Sequence, residues 1–256
     1  VLVLHSHDLM PRNGDCFFPF RQDSDFFYLT GIDQEESVLI MVPDAENKKD
    51  REVLFIKETN EHIQVWEGHK YSKEEAIAIS GIKNVKVLRD MEPFLKRMLK
   101  NNANLYFNKN ENERASIVVP SKNDRFMSAL KLENSTHAFK SVAPLLTGLR
   151  VIKSKEEVDL IKHACGITKS AFDRVLSLVK PGIFEYEIEA EVTHEFICQK
   201  ANTHAYSPIV ASGKNACVLH YIDNNEQCKD GELILLDFGA EYGNYASDLS
   251  RTIPVN

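Results

Sequence analysis

The sequence predicts an α/β first domain, residues 1–147, followed from Gly148 by a second region that opens with helices and closes in strands. Three observations carry this expectation. Strand-like and helix-like segments alternate through the first half of the chain. Ser154 and Glu157 then form a capping-box pattern at the head of a long amphipathic run. Finally, "LLDFGAEYGNYASDLSRT" (235–252) reads as a hairpin that carries an aspartate on each arm.

In the first domain, apolar β-rich runs at 1–4, 38–42, 53–56, 85–88 and 105–107 predict strands. Between and after them "SKEEAIAIS", "MEPFLKRMLK" and "KNDRFMSALKLEN" have helical spacing. Such alternation suggests a mostly central sheet. Beyond Ser154, the residues Val158, Ile161, Cys165, Thr168, Phe172, Val175 and Val179 recur every three to four positions until Lys180-Pro181-Gly182 stops the helix. A second helix over 185–200 sets Ile188, Val192 and Phe196 on one face. The segments "PIVASG" and "ACVLHYI" then read as strands, and "DNNEQCKDG" as a turn before the hairpin.

The 256 residues are 43% hydrophobic and 27% charged, ordinary for a folded globular chain and enough for one large or two modest domains. A net charge of −7 and the lack of a basic run exclude the electrostatic footprint of a nucleic-acid binder. No apolar run approaches the length of a membrane span, and the N-terminal stretch lacks signal-peptide character. Cys16, Cys165, Cys198, Cys217 and Cys228 are odd in number and form no C-x-x-C, so they read as reduced thiols of a cytoplasmic protein. The chain starts without Met in a strand-like stretch, an expectation of residues upstream.

A loop centred on Tyr242 and Gly243 would make Asp237 and Asp248 direct cross-strand neighbours, with Cβ atoms roughly 4.5–5.5 Å apart. Like charges so placed repel. Two remedies exist: a shared proton, or bridging cations of the hard, oxygen-seeking kind. Asp237 follows the apolar "LILL" and is expected near the interior, where an unpaired carboxylate is costly. The plain reading, one acid exposed and the other capping a backbone amide, stays open on spacing alone.

Other motifs give less. His194-Glu195 opens an H-E-x-x-H pattern that fails at Cys198, and Gly213-Lys214 lacks the upstream glycine of a phosphate loop. His5 and His7 could reach a metal from one strand face, against a plainer reading as strand polarity. His220 ends an apolar run beside a turn, where site residues tend to sit, though a satisfied structural histidine is the commoner case. Trp66, the sole tryptophan, lies among polar residues on an expected loop and could pack locally or anchor an interface.

Four stretches in collinear order, "PFRQDSDFFYLTGI" (19–32), "RVIKSKEEVDLIKHA" (150–164), "IVASGKNACVLHYIDNN" (209–225) and "DFGAEYGNYASDLSRTIPVN" (237–256), resemble aminopeptidase P, the Xaa-Pro aminopeptidase among pita-bread metallopeptidases. The resemblance implies a creatinase-like N-terminal α/β domain followed by the first half of an α+β pita-bread catalytic domain. It implies two divalent ions, manganese(II) expected, with Asp237 binding one in bidentate fashion and Asp248 bridging both. It implies that His220 lines the site and assists substrate or transition-state binding. Trp66 resembles a tryptophan lent to a neighbouring subunit's substrate pocket in tetrameric members. Implied partners are peptides with proline second and further copies of the chain, as a homo-dimer or homo-tetramer.

Family members complete the site with a histidine and two glutamates from the second half of the pita-bread domain. This chain stops at Asn256, so the expectation is an incomplete, inactive piece of a longer enzyme. The alternatives are an Xaa-Pro dipeptidase (prolidase), which shares fold and acid pair, and a metal-free pita-bread module that binds peptides. Metal-free creatinase fits less well, because both aspartates are kept.

Overall fold

The computed structural model describes residues 1–111 and 118–256. They form two compact units, Val1–Ile152 and Lys153–Asn256.

The first unit is built on a six-stranded mixed sheet. Its first strand, β1 (Leu2–His5), is followed by a small exposed hairpin, β2 (Pro11–Asn13) and β3 (Cys16–Phe17), and by helix α1 (Ser24–Thr30). Then come β4 (Val38–Met41), β5 (Glu52–Ile56), the helices α2 (Glu61–Glu67) and α3 (Lys73–Ser80), and β6 (Val85–Val87). Helix α4 (Met91–Leu99), β7 (Asn104–Phe107), α5 (Lys122–Glu133), β8 (Ala138–Ser141) and α6 (Ala143–Arg150) complete it. Across the sheet the order is β6-β5-β4-β1-β7-β8. The pairs β1/β4 and β4/β5 are antiparallel, and β1/β7, β5/β6 and β7/β8 are parallel.

Successive strand residues point to opposite faces, and both faces are covered. Val3, Ile40, Val53 and Phe55 pack with Phe94 and Leu95 of α4 and Leu130 of α5. Leu4, Leu39, Leu54 and Ile56 pack on the other side with Phe26 of α1, Ala76 of α3 and Leu146 of α6. Double burial is why these strands read as unbroken apolar runs rather than as alternation.

The five expected strands and three expected helices of this unit are all present. Trp66 departs from expectation: it lies on α2, not on a loop. Asn60 caps this helix by accepting from Ile63 N, and Gly68 ends it at φ +75°. No residue of α2 is buried, so there is no apolar stripe from which periodicity could have revealed it. His5 and His7 go to separate surroundings. The His5 ring is buried 4.4 Å from the Phe126 ring, whereas His7 faces Asp23, its Nε2 3.4 Å from Oδ2.

The second unit opens with α7 (Lys155–Leu176), whose N-terminus carries the expected capping box: Glu157 N donates to Ser154 Oγ and Ser154 N to Glu157 Oε2. Helix α8 (Glu185–Cys198) buries Ile188, Val192 and Phe196 as expected. At about 1.5–3 kcal/mol for each fully buried large side chain, that face alone anchors the helix. Strands β9 (Thr203–His204), β10 (Ile209–Ser212), β11 (Leu233–Phe238), β12 (Ala240–Tyr242), β13 (Tyr245–Ala246) and β14 (Leu249–Pro254) follow. They form two three-stranded sheets, β10-β11-β14 and β13-β12-β9.

Two expectations need correction here. The buried stripe of α7 is Glu157, Ala164, Ile167, Thr168, Ala171 and Val175, so only Thr168 and Val175 of the expected face are fully inside, and Cys165 is exposed. The helix turns its small residues inward, where Ala164 and Ala171 allow close approach to β12 and β13. "ACVLHYI" is not a strand. A 3-10 turn at Gly213–Cys217 and a loop replace it, and Val218, Leu219 and Ile222 face outward. His220 therefore sits on an exposed loop.

Candidate metal centre

In β11 the side chains alternate. Ile234, Leu236 and Phe238 enter the core, which sends Asp237 to the other face, where it is half-buried rather than interior. After Phe238 the chain passes Gly239 and leaves one three-stranded sheet for the other. The returning arm makes the reverse passage through Ser247 and Asp248.

This crossing corrects the expected register. The turn is centred on Gly243 and Asn244, at φ +56° and +64°, and not on Tyr242 and Gly243. A two-residue hairpin turn of this kind needs positive φ at both central residues, which Gly and Asn tolerate and Tyr does not. Tyr242 consequently pairs with Tyr245, and Asp237 pairs with Ser250 rather than with Asp248. Ser250 Oγ donates to Asp237 Oδ2 at 2.8 Å. Asp248, which is exposed, is the diagonal neighbour of Asp237 on the same face.

The two acids nevertheless converge. The Tyr206 hydroxyl, between β9 and β10, lies 2.5 Å from Asp237 Oδ1 and 3.0 Å from Asp248 Oδ1. Burial and the two carboxylates hold the phenol protonated, with its pKa pushed far up. A phenol has one proton, so it donates to one carboxylate at a time and leaves most of the pair's negative charge uncompensated.

The close approach depends on Gly239. A Cβ added there would lie 1.9 Å from Ser247 O, an overlap that only a backbone shift relieves. Thr168 of α7 holds the same point from behind: its Oγ1 lies 2.6 Å from Ser247 Oγ, and Ala240 N donates to both hydroxyls at 2.9 and 3.0 Å. At the hairpin tip Tyr245 donates to Glu157 Oε1 at 2.8 Å, so the capping-box glutamate also fixes the hairpin.

Two carboxylates that aim an oxygen each at one point are a hard donor pair of the sort that suits Mn(II), Mg(II) or Zn(II). Among the described residues no group of three or more His, Cys, Asp or Glu is arranged to hold a metal ion. The donors therefore fit a divalent ion but do not enclose one. Among the described residues no hydrogen bond links His220 to either acid. Trp66 belongs to the first unit and is exposed. Tyr206 was missed from the sequence. Its one available signal is its place just before "PIVASG", the strand that pairs with β11.

Comparison with known proteins agrees with this architecture. Residues 159–256 match the profile "Metallopeptidase family M24", so the acid-bearing hairpin belongs to a pita-bread metallopeptidase domain. Residues 1–106 match "Aminopeptidase P, N-terminal domain". In this order the two profiles give an aminopeptidase P N-terminal domain followed by the first part of an M24 pita-bread domain. It is 32% identical to the Xaa-Pro aminopeptidase of Haemophilus influenzae over all of this chain and 57% of that protein. It is 28% identical to human Xaa-Pro aminopeptidase 3, covering 50% of it. The solved structure of Pseudomonas aeruginosa aminopeptidase PepP superposes with a TM-score of 0.87 at 32% identity, covering all of this chain and 57% of that one. Escherichia coli aminopeptidase P with the inhibitor Pro-Leu gives 0.86 at 30% identity over 58% of its chain. The chain thus spans 50–58% of the length of these relatives.

Proposed function

We propose that this chain is the N-terminal part of a metallo-aminopeptidase that removes the first residue from peptides with proline second. The observation that carries the reading is the convergence of Asp237 and Asp248 on one point, in a chain whose two units match the two domains of aminopeptidase P. The relatives' names, Xaa-Pro aminopeptidases, and the Pro-Leu inhibitor of the Escherichia coli enzyme support the substrate class.

Asp237 and Asp248 would hold the divalent ions, with manganese(II) the expected metal. The chemistry that a bound pair supplies is acidification of a water and polarisation of the scissile carbonyl. Ser250 and Tyr206 orient the Asp237 carboxylate. His220 contacts substrate from its loop. Trp66 contributes to a neighbouring copy's substrate pocket in a homo-dimer or homo-tetramer, in the cytoplasm.

The test is hydrolysis by the complete natural polypeptide of a tripeptide with proline second, beside an Xaa-Pro dipeptide. The expected result is release of the first residue from the tripeptide, abolished by a chelator and restored by Mn(II). Asp248→Asn should lower kcat/KM by about 10³-fold or more, because such constellations act as a unit. Cleavage of the dipeptide alone would make the enzyme a dipeptidase, and hydrolysis indifferent to chelation would remove the metal from the account.

A further inference from the structure

The loop that carries His220 turns most of its residues outward; Leu219 is 89% exposed. Two of its side chains point inward, Tyr221 and Asn224, and both end on acids of α8. Glu185, the first residue of that helix, is 0% exposed. Its Oε1 accepts from Ser212 N and Ser212 Oγ, both at 2.7 Å. Its Oε2 accepts from Tyr221 Oη at 2.7 Å and Glu226 N at 3.0 Å.

One turn further along α8, Glu189 Oε2 accepts from Asn224 Nδ2 at 2.9 Å. The same Nδ2 reaches Pro208 O, and Asn224 Oδ1 accepts from Val210 N, each at 2.9 Å. Asn224 stands at φ +44°, a conformation asparagine tolerates better than most residues.

Taking a carboxylate wholly out of water is expensive, and four donors are what make it tolerable. A buried charge so satisfied gains little stability over an apolar side chain, but its hydrogen bonds fix a geometry. Here they tie the end of β10, the loop and the residues beyond it to one oxygen pair. Burial and Glu185 push the Tyr221 phenol up to about 12, so it remains a donor throughout the neutral range.

We propose that Glu185 is a positioning residue for His220, acting through Tyr221, the adjoining residue in the chain, while Glu189 and Asn224 secure the far side of the loop. The inference rests on the substrate-contacting role of His220 given above. Holding an imidazole beside a substrate on an otherwise solvent-facing loop requires such an anchor, because a displacement of about 1 Å costs on the order of 10²-fold in rate.

The test is a double-mutant cycle on the complete natural polypeptide loaded with Mn(II), combining Tyr221→Phe with His220→Ala. Tyr221→Phe keeps the ring that packs against Ile209 and Ala211 and removes only the donor. Glu185→Gln is made in parallel. Kinetics on the tripeptide, metal content and amide exchange over 217–222 are read for each variant.

Tyr221→Phe should lower kcat/KM by about 10- to 100-fold when His220 is present. It should change kcat/KM by less than about twofold in the His220→Ala background, with metal content unchanged and exchange faster over 217–222. Equal losses in both backgrounds, or no loss with His220 present, would overturn the proposal. If His220→Ala alone keeps full activity, the substrate role of His220 fails separately. The exchange data then decide whether the clamp holds the loop: faster exchange supports it, and unchanged exchange overturns it. Should Glu185→Gln fail to fold, Tyr221→Phe carries the test unaided.

Discussion

Tyr206 shows what a single side chain adds to the acid pair. The sequence offers Asp237 and Asp248 through their place on a hairpin, but nothing in "THAYSP" marks the tyrosine, which lies 31 residues before Asp237 and reaches it only through folding. His5 is a second residue whose surroundings spacing could not disclose. Its ring nitrogens have no partner among the described residues, and burial holds its pKa at about 3. The unfolded chain takes up a proton near pH 6.5, whereas the folded chain refuses it until about pH 3. Stability is therefore full above about pH 6.5 and falls as the pH drops toward 3, by about 2–3 kcal/mol between pH 7 and 4.5. Denaturant titration at the two pH values should show this loss, and His5→Leu should remove most of it. An unchanged pH slope in that variant would contradict the neutral buried ring.

At the scale of elements, most of the architecture was legible. The strands of the first unit announced themselves as apolar runs, and α7 and α8 through a capping box and a three-to-four spacing. What escaped were elements fixed by local caps or by tertiary pairing. Exposed α2 has caps but no stripe, β8 is an edge strand (Ala138–Ser141) with partly exposed side chains, and the apolar "ACVLHYI" finds no strand neighbour. The hairpin register escaped for a different reason, since the turn had to be placed where two residues accept positive φ.

Gly239 is the structural consequence of that register, because the arms cross there at backbone contact. Gly239→Ala should cost more than about 3 kcal/mol or abolish folding of the hairpin, through strain at a site with no room to yield. Gly166→Ala, in the interior of α7 with open space around it, should instead stabilise by about 0.5–1 kcal/mol. Thermal or chemical denaturation of the two variants checks both, and similar effects from both would contradict the crossing as the constraint.

For the whole molecule, two units with separate cores match two family domains in order, and the acid pair lies at the far end of the second. Among the described residues no helix is long and apolar enough to cross a membrane. The four collinear motifs made the family legible. Spacing alone could not, because two aspartates eleven positions apart have many uses. The chain spans about 57% of the Haemophilus influenzae enzyme it matches.

The central claim, that Asp237 and Asp248 together hold divalent metal, is tested most directly by metal content. The complete natural polypeptide, dialysed after Mn(II) loading, should retain two ions per chain. Asp248→Asn should retain fewer than one while staying folded by circular dichroism. Retention of both ions by folded Asp237→Asn and Asp248→Asn variants would contradict the account.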